Sequence, residues 1–122
     1  MLNQAYVLVC EDEPFIALTL ALAIEDAGGV VVGPAGSVKE ALTLLQSTPV
    51  SAAILDVNLA DGEITPVLNI LVGLGTPLIV QTGVGLPTGF PPRVPPIVVC
   101  SKPCDAEELV TQLEGLITRH SE

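Results

Sequence analysis

Five short β-rich runs, at residues 5 to 10, 30 to 33, 51 to 56, 77 to 81 and 97 to 100, alternate with helix-like segments along nearly the whole chain. That alternation predicts an α/β fold with a parallel sheet, because each return to a parallel neighbour needs a crossover. Four of the five runs end in residues with chemistry to offer. Tyr6-Val-Leu-Val-Cys10 is followed by Glu11-Asp12-Glu13, Ser51-Ala-Ala-Ile-Leu-Asp56 ends on an aspartate, Leu78-Ile-Val-Gln81 leads into Thr82-Gly83, and Ile97-Val-Val-Cys100 into Ser101-Lys102-Pro103. In a parallel sheet these ends share one edge, where distant residues meet in a crevice.

The 122 residues suffice for one domain with its own core and are too few for two, so residues 1–122 are read as one domain. An apolar content of 49% opposes disorder. Fourteen acidic residues against four basic ones give a net charge of -10, which repels a phosphate backbone and excludes unaided nucleic-acid binding.

Cys10, Cys100 and Cys104 lack the paired spacing of a zinc site, and a reduced, cytoplasmic setting fits them. The amino-terminal residues lack the pattern of a signal peptide. The uncharged stretch from 64 to 92 contains Glu-free but glycine- and proline-broken sequence, which reads as helix, strand and loop and not as a membrane span.

Local signals mark the helices. Pro14 suits a first turn, Ser37-Val-Lys-Glu40 has the form of a capping box, and Thr65-Pro66 reads as a cap followed by a first-turn proline. Asp105 is placed to cap the last helix, and Gly28-Gly29 to end the first. Residues 84 to 96 hold five prolines and two glycines, so the helix expected between the last two strands is irregular or missing.

Asp56 at a strand end is the candidate nucleophile, and Glu11 and Asp12 are candidate ligands for Mg²⁺, a hard ion that takes oxygen ligands. Clustered carboxylates repel by about 4 kcal/mol per pair at roughly 4 Å and an effective dielectric near 20, which a bound cation and Lys102 would relieve. Thr82 offers a hydroxyl, Gly83 an amide with no side chain in the way, and the Asn58 carbonyl a further metal ligand. Asp61-Gly62 reads as a tight turn. Each element alone has a bland reading, as acidic loop, strand exit or turn. Their joint occurrence at four strand ends is what points to a site.

The chain resembles a receiver domain of bacterial two-component response regulators, over nearly its whole length and at each of these anchors. The resemblance implies a flavodoxin-like, doubly wound five-stranded parallel sheet of order 2-1-3-4-5. It further implies that Asp56 accepts a phosphoryl group from a phosphohistidine on a histidine kinase or phosphotransfer protein, acting as a phosphorylation-dependent switch. Asp12, Asp56 and Asn58 would bind Mg²⁺ with Glu11 assisting through water, while Thr82 and Lys102 would contact the phosphoryl group. A receiver catalyses only its own phosphorylation and dephosphorylation and is not counted as an enzyme.

Two departures bear on output. Val99 stands where many receivers carry an aromatic switch residue, and Cys104 where an aromatic commonly follows the Lys-Pro pair. The Thr-Gly pair and shortened crossover are similar to an alphaproteobacterial subset. An interaction module with altered or lost phosphorylation-coupled output is the alternative. A haloacid-dehalogenase-type hydrolase fits poorly, since its nucleophile belongs to an early Asp-x-Asp motif.

A helical wheel from Pro14 puts Ile16, Leu20, Ala23, Ile24 and Ala27 on one face and Phe15, Leu18 and Leu22 on the other. The second set is either incidental exposure or a dock for the phosphodonor, and receivers resembling this one bind their donor through this helix. The downstream protein is unnamed by the sequence, and homodimerisation stays open. Cys104 lies beside Lys102 yet reads as an apolar filler, because Asp105, Glu107 and Glu108 oppose a thiolate.

Overall fold

The computed structural model describes residues 1–83 and 97–120, with His120 described by its backbone only. The expected irregular or missing fourth helix at 84 to 96 lies outside the described residues. In chain order the elements are β1 (Tyr6–Cys10), α1 (Pro14–Asp26), β2 (Val30–Ala35), α2 (Val38–Ser47) and β3 (Ala52–Asp56). There follow β4 (Asn58–Leu59), β5 (Gly62–Glu63), α3 (Thr65–Gly73), β6 (Leu78–Thr82), β7 (Ile97–Ser101) and α4 (Ala106–His120). The main sheet has five parallel strands in the order β2-β1-β3-β6-β7, which is the expected 2-1-3-4-5 once the small β4–β5 hairpin is set aside.

Helices cover both faces of this sheet, which is why its central strands are apolar runs without polar alternation. The alternation is instead between two cores. Val7, Val9, Ile54 and Ile79 face Leu20 and Ile24 of α1 and Leu109 and Leu113 of α4. Leu8, Cys10, Leu55, Leu78 and Val80 face the α2 and α3 side, where Ala41, Val67, Leu68 and Leu71 pack. A one-residue register slip would exchange the two sets and leave neither face matched to its helices.

The helix signals mostly hold. Pro14 sits in the first turn of α1, and the Ser37 hydroxyl accepts the Glu40 N-H at 3.0 Å. Glu40 reaches back to the Gly36 N-H at 3.0 Å, one residue beyond the N-cap amide that a capping box usually engages. Asp105 accepts the Glu108 N-H at 3.1 Å. Gly28 has φ +87°, and the Gly28 and Gly29 amides donate to Glu25 and Ile24 carbonyls, a Schellman ending that needs the left-handed conformation.

Two expectations are corrected. Thr65 is already helical; Ile64 precedes α3 without a side-chain cap. Ile64 is fully buried and its amide donates to the Val57 carbonyl at 2.8 Å, so an apolar anchor sets this helix start. In α1, Leu20 and Ile24 are buried with Ala23 and Ala27 packed against the same core, as expected, but Ile16 is 37% exposed and Ala17 is buried instead. Ala17, one turn before Leu20, takes the buried place on this helix. Phe15, Leu18 and Leu22 are exposed, as the wheel indicated.

Candidate functional site

At the carboxyl end of the sheet the four loops converge. β1 delivers Glu11 and Asp12, β3 ends on Asp56, β6 on Thr82, and β7 leads into Lys102, so register alone places these residues at one rim. Thr82 pairs with Ser101 across β6 and β7, and its carbonyl accepts the Lys102 N-H at 2.8 Å. That bond fixes where the lysine leaves the sheet. The Lys102–Pro103 peptide is cis.

The Lys102 Nζ donates to Asp56 Oδ2 at 2.7 Å and lies 3.4 Å from Glu11 Oε1. Glu11 and Asp56 are buried, Lys102 is half-buried, and Asp12 stands exposed at the mouth. One carboxylate oxygen from each of Glu11, Asp12 and Asp56 falls within 4.8 Å of the others. This is a donor set for a hard cation, which prefers several oxygen ligands and tolerates water in the remaining positions.

The electrostatics agree with that reading. Burial pushes the Glu11 carboxyl above the usual carboxylate range, with the Asp56 charge adding to it and the Glu13 amide and Lys102 opposing it. For Lys102, burial works against the charged form, but the hydrogen bond to Asp56 and the charges of Glu11 and Asp56 prevail and raise its pKa. The ammonium therefore remains charged beside two acids. It partly fills the place of the positive charge that the three carboxylates call for.

Asn58 begins β4, and its amide donates to Asp56 Oδ1 at 3.3 Å. Gly83 lies against the lysine stem: a β-carbon there would come no nearer than 4.0 Å, to Lys102 Cδ. Among the described residues, nothing else stands within 4 Å of that position. Thr82 is buried at the end of β6. Cys104 is half-buried, and burial together with its contact to the Cys100 thiol pushes its pKa up to about 12, so it is a filler and not an activated thiol.

Sequence reasoning placed Asp61 in a turn and missed its partners on α2. Its carboxylate crosses to α2 and accepts the Val38 N-H at 2.6 Å and the Lys39 N-H at 3.2 Å. A turn aspartate carries no sign in sequence of which distant helix it caps.

No family model and no curated protein matches the chain. Solved structures do. The response regulator PhyR from Brucella abortus is 28% identical with a TM-score of 0.80, covering 96% of this chain and 49% of that one. The chain has the fold of a response-regulator receiver domain. This receiver is also similar to the anti-anti-sigma factor PhyR from Bartonella quintana, at 29% identity and a TM-score of 0.76, over 96% of this chain and 48% of that one. It thus spans about half the length of both PhyR proteins. The CheY-like receiver domain protein from Methanospirillum hungatei JF-1 matches nearly end to end, at 96% of each chain, with a TM-score of 0.79 and 19% identity, and so supports the fold alone. Among the described residues, no helix of the receiver is long and apolar enough to cross a membrane.

Proposed function

We propose that this receiver takes a phosphoryl group onto Asp56 from a phosphohistidine of a histidine kinase or phosphotransfer protein in the cytoplasm, with Mg²⁺ as its cofactor. The observation that carries the proposal is the Asp56 carboxylate, held 2.7 Å from the Lys102 ammonium with Glu11 and Asp12 close by. Bound among Glu11, Asp12, Asp56 and the Asn58 carbonyl, Mg²⁺ would supply positive charge to the oxygens of the transferring group.

The chain's own groups divide the remaining work. An Asp56 oxygen attacks phosphorus, the bond from phosphorus to the donor imidazole nitrogen breaks, and its electron pair stays on the imidazole. Asp56 attacks as the carboxylate, with the Lys102 ammonium hydrogen-bonded to its other oxygen. Lys102 then donates to a phosphoryl oxygen, and the Thr82 hydroxyl and Gly83 amide offer further donors. No separate small molecule is turned over, so the receiver is a self-modifying switch rather than an enzyme.

Docking of the donor falls to the exposed Phe15, Leu18 and Leu22 on α1, beside the site. Output passes to another protein by a population shift that draws Thr82 and Lys102 toward the phosphoryl group. With Val99 on β7 in place of an aromatic, a rotating ring at that position is not available to the switch. Incubation with a labelled phosphohistidine donor tests the reading: label should move to the wild-type receiver only with Mg²⁺ present. Equal transfer to Asp56→Asn would refute it.

A further inference from the structure

Asp61 ties the two halves of the ion site together through a corner of the fold that carries no chemistry of its own. The β4–β5 hairpin starts at Asn58, and Asp61 lies in its turn, where its two carboxylate oxygens accept the Val38 and Lys39 amides at 2.6 and 3.2 Å. Beside it the Ala60 amide donates to the Gly36 carbonyl at 3.2 Å. The same β2–α2 corner holds the other half of the site. The Ala35 carbonyl accepts the Glu11 N-H at 2.9 Å, and a β-carbon on Gly36 would lie 3.8 Å from Asp12 Cα.

The allocation of helix amides makes this link specific. At the start of α2, Ser37 satisfies the Glu40 amide and Glu40 satisfies Gly36, both from within the segment. The Val38 and Lys39 amides are left to Asp61, twenty-odd residues away in sequence. A local cap would have served the helix alone. A cap borrowed from the hairpin also fixes the hairpin.

We propose that Asp61 is a positioning residue for the divalent-ion site, setting the separation between Asn58 and the Glu11–Asp12 pair by clamping the hairpin to α2. The inference rests on the reading above that Mg²⁺ binds there. Residues behind metal ligands commonly change affinity by tenfold or more, because each ligand must be held in place before the ion arrives.

Mg²⁺ titration of the isotope-labelled chain, followed by NMR at the amides of Asp12 and Asn58 and well below each variant's unfolding temperature, tests it. Asp61→Ala should weaken Mg²⁺ by about tenfold. Asp61→Asn, which keeps one acceptor oxygen for Val38, should weaken it less. In Mg²⁺-free protein, amide exchange should quicken at residues 36 to 39 and 58 to 63 while the central strands stay protected. A purely structural cap would lower the unfolding temperature and leave the Mg²⁺ affinity unchanged. That outcome, with wild type still binding, overturns the inference and spares the Mg²⁺ reading. If wild type shows no saturable shift, the Mg²⁺ reading fails and the inference with it. Should Asp61→Ala not fold, Asp61→Asn decides: affinity equal to wild type refutes the clamp.

Discussion

The Lys102 ammonium stands 2.7 Å from Asp56 Oδ2 and 3.4 Å from Glu11 Oε1, so one flexible side chain bridges the ends of β1 and β3 from the far side of the sheet. Two buried acids on neighbouring strands would otherwise repel without relief. The same contact that steadies the resting site leaves the lysine within reach of whatever is attached to Asp56.

Replacing Lys102 by Met should therefore cost stability in metal-free protein, by about 1 kcal/mol at neutral pH given that the lysine is partly solvated. The pH dependence has a defined sign. Lys102 has a raised folded pKa, so its contribution is complete below lysine's ordinary 10.5 and is lost as pH climbs through the higher folded value. Urea unfolding from pH 7 into the alkaline range should show the wild-type advantage shrinking there. A difference that stayed constant with pH would contradict this role.

Glu11 is buried with its carboxyl pushed up, so its ionised form is costly in the folded chain. Glu11→Gln keeps the shape and removes the charge. Metal-free Glu11→Gln should melt a few degrees above wild type, corresponding to about 1 kcal/mol, and bind Mg²⁺ more weakly. Calorimetry with and without Mg²⁺ reads both effects, and a lower melting point without metal would count against it.

Leu18 and Leu22 are more than half exposed, at 55% and 51%, so replacing both by Ser should move stability by no more than about 0.5 kcal/mol per site. Labelling by acetyl phosphate, which needs no docking surface, should be unchanged. Transfer from a histidine kinase or phosphotransfer protein should fall. Equal loss in both assays would show that the patch does not serve the donor.

Sheet order and site were legible because strand ends in a parallel α/β fold are a property of topology, and topology follows from alternating runs. Asp56, Glu11, Asp12 and Lys102 could thus be brought together before any coordinates. What was not legible depended on local burial and on long-range partners. Whether Ile16 or Ala17 is buried is not fixed by a wheel of mostly apolar residues. Thr65 has the chemistry of a cap, yet burial of Ile64 outweighs it. Asp61 looks like any turn residue until its partners on α2 are seen. Tertiary packing decided each of these.

Intact-mass measurement after incubation with acetyl phosphate and Mg²⁺ addresses the central claim most directly. The wild-type chain should gain one phosphoryl group, lose that gain when Mg²⁺ is chelated beforehand, and show none in Asp56→Asn. An unmodified wild type, or an Asp56→Asn chain that gains the same mass, would contradict the account.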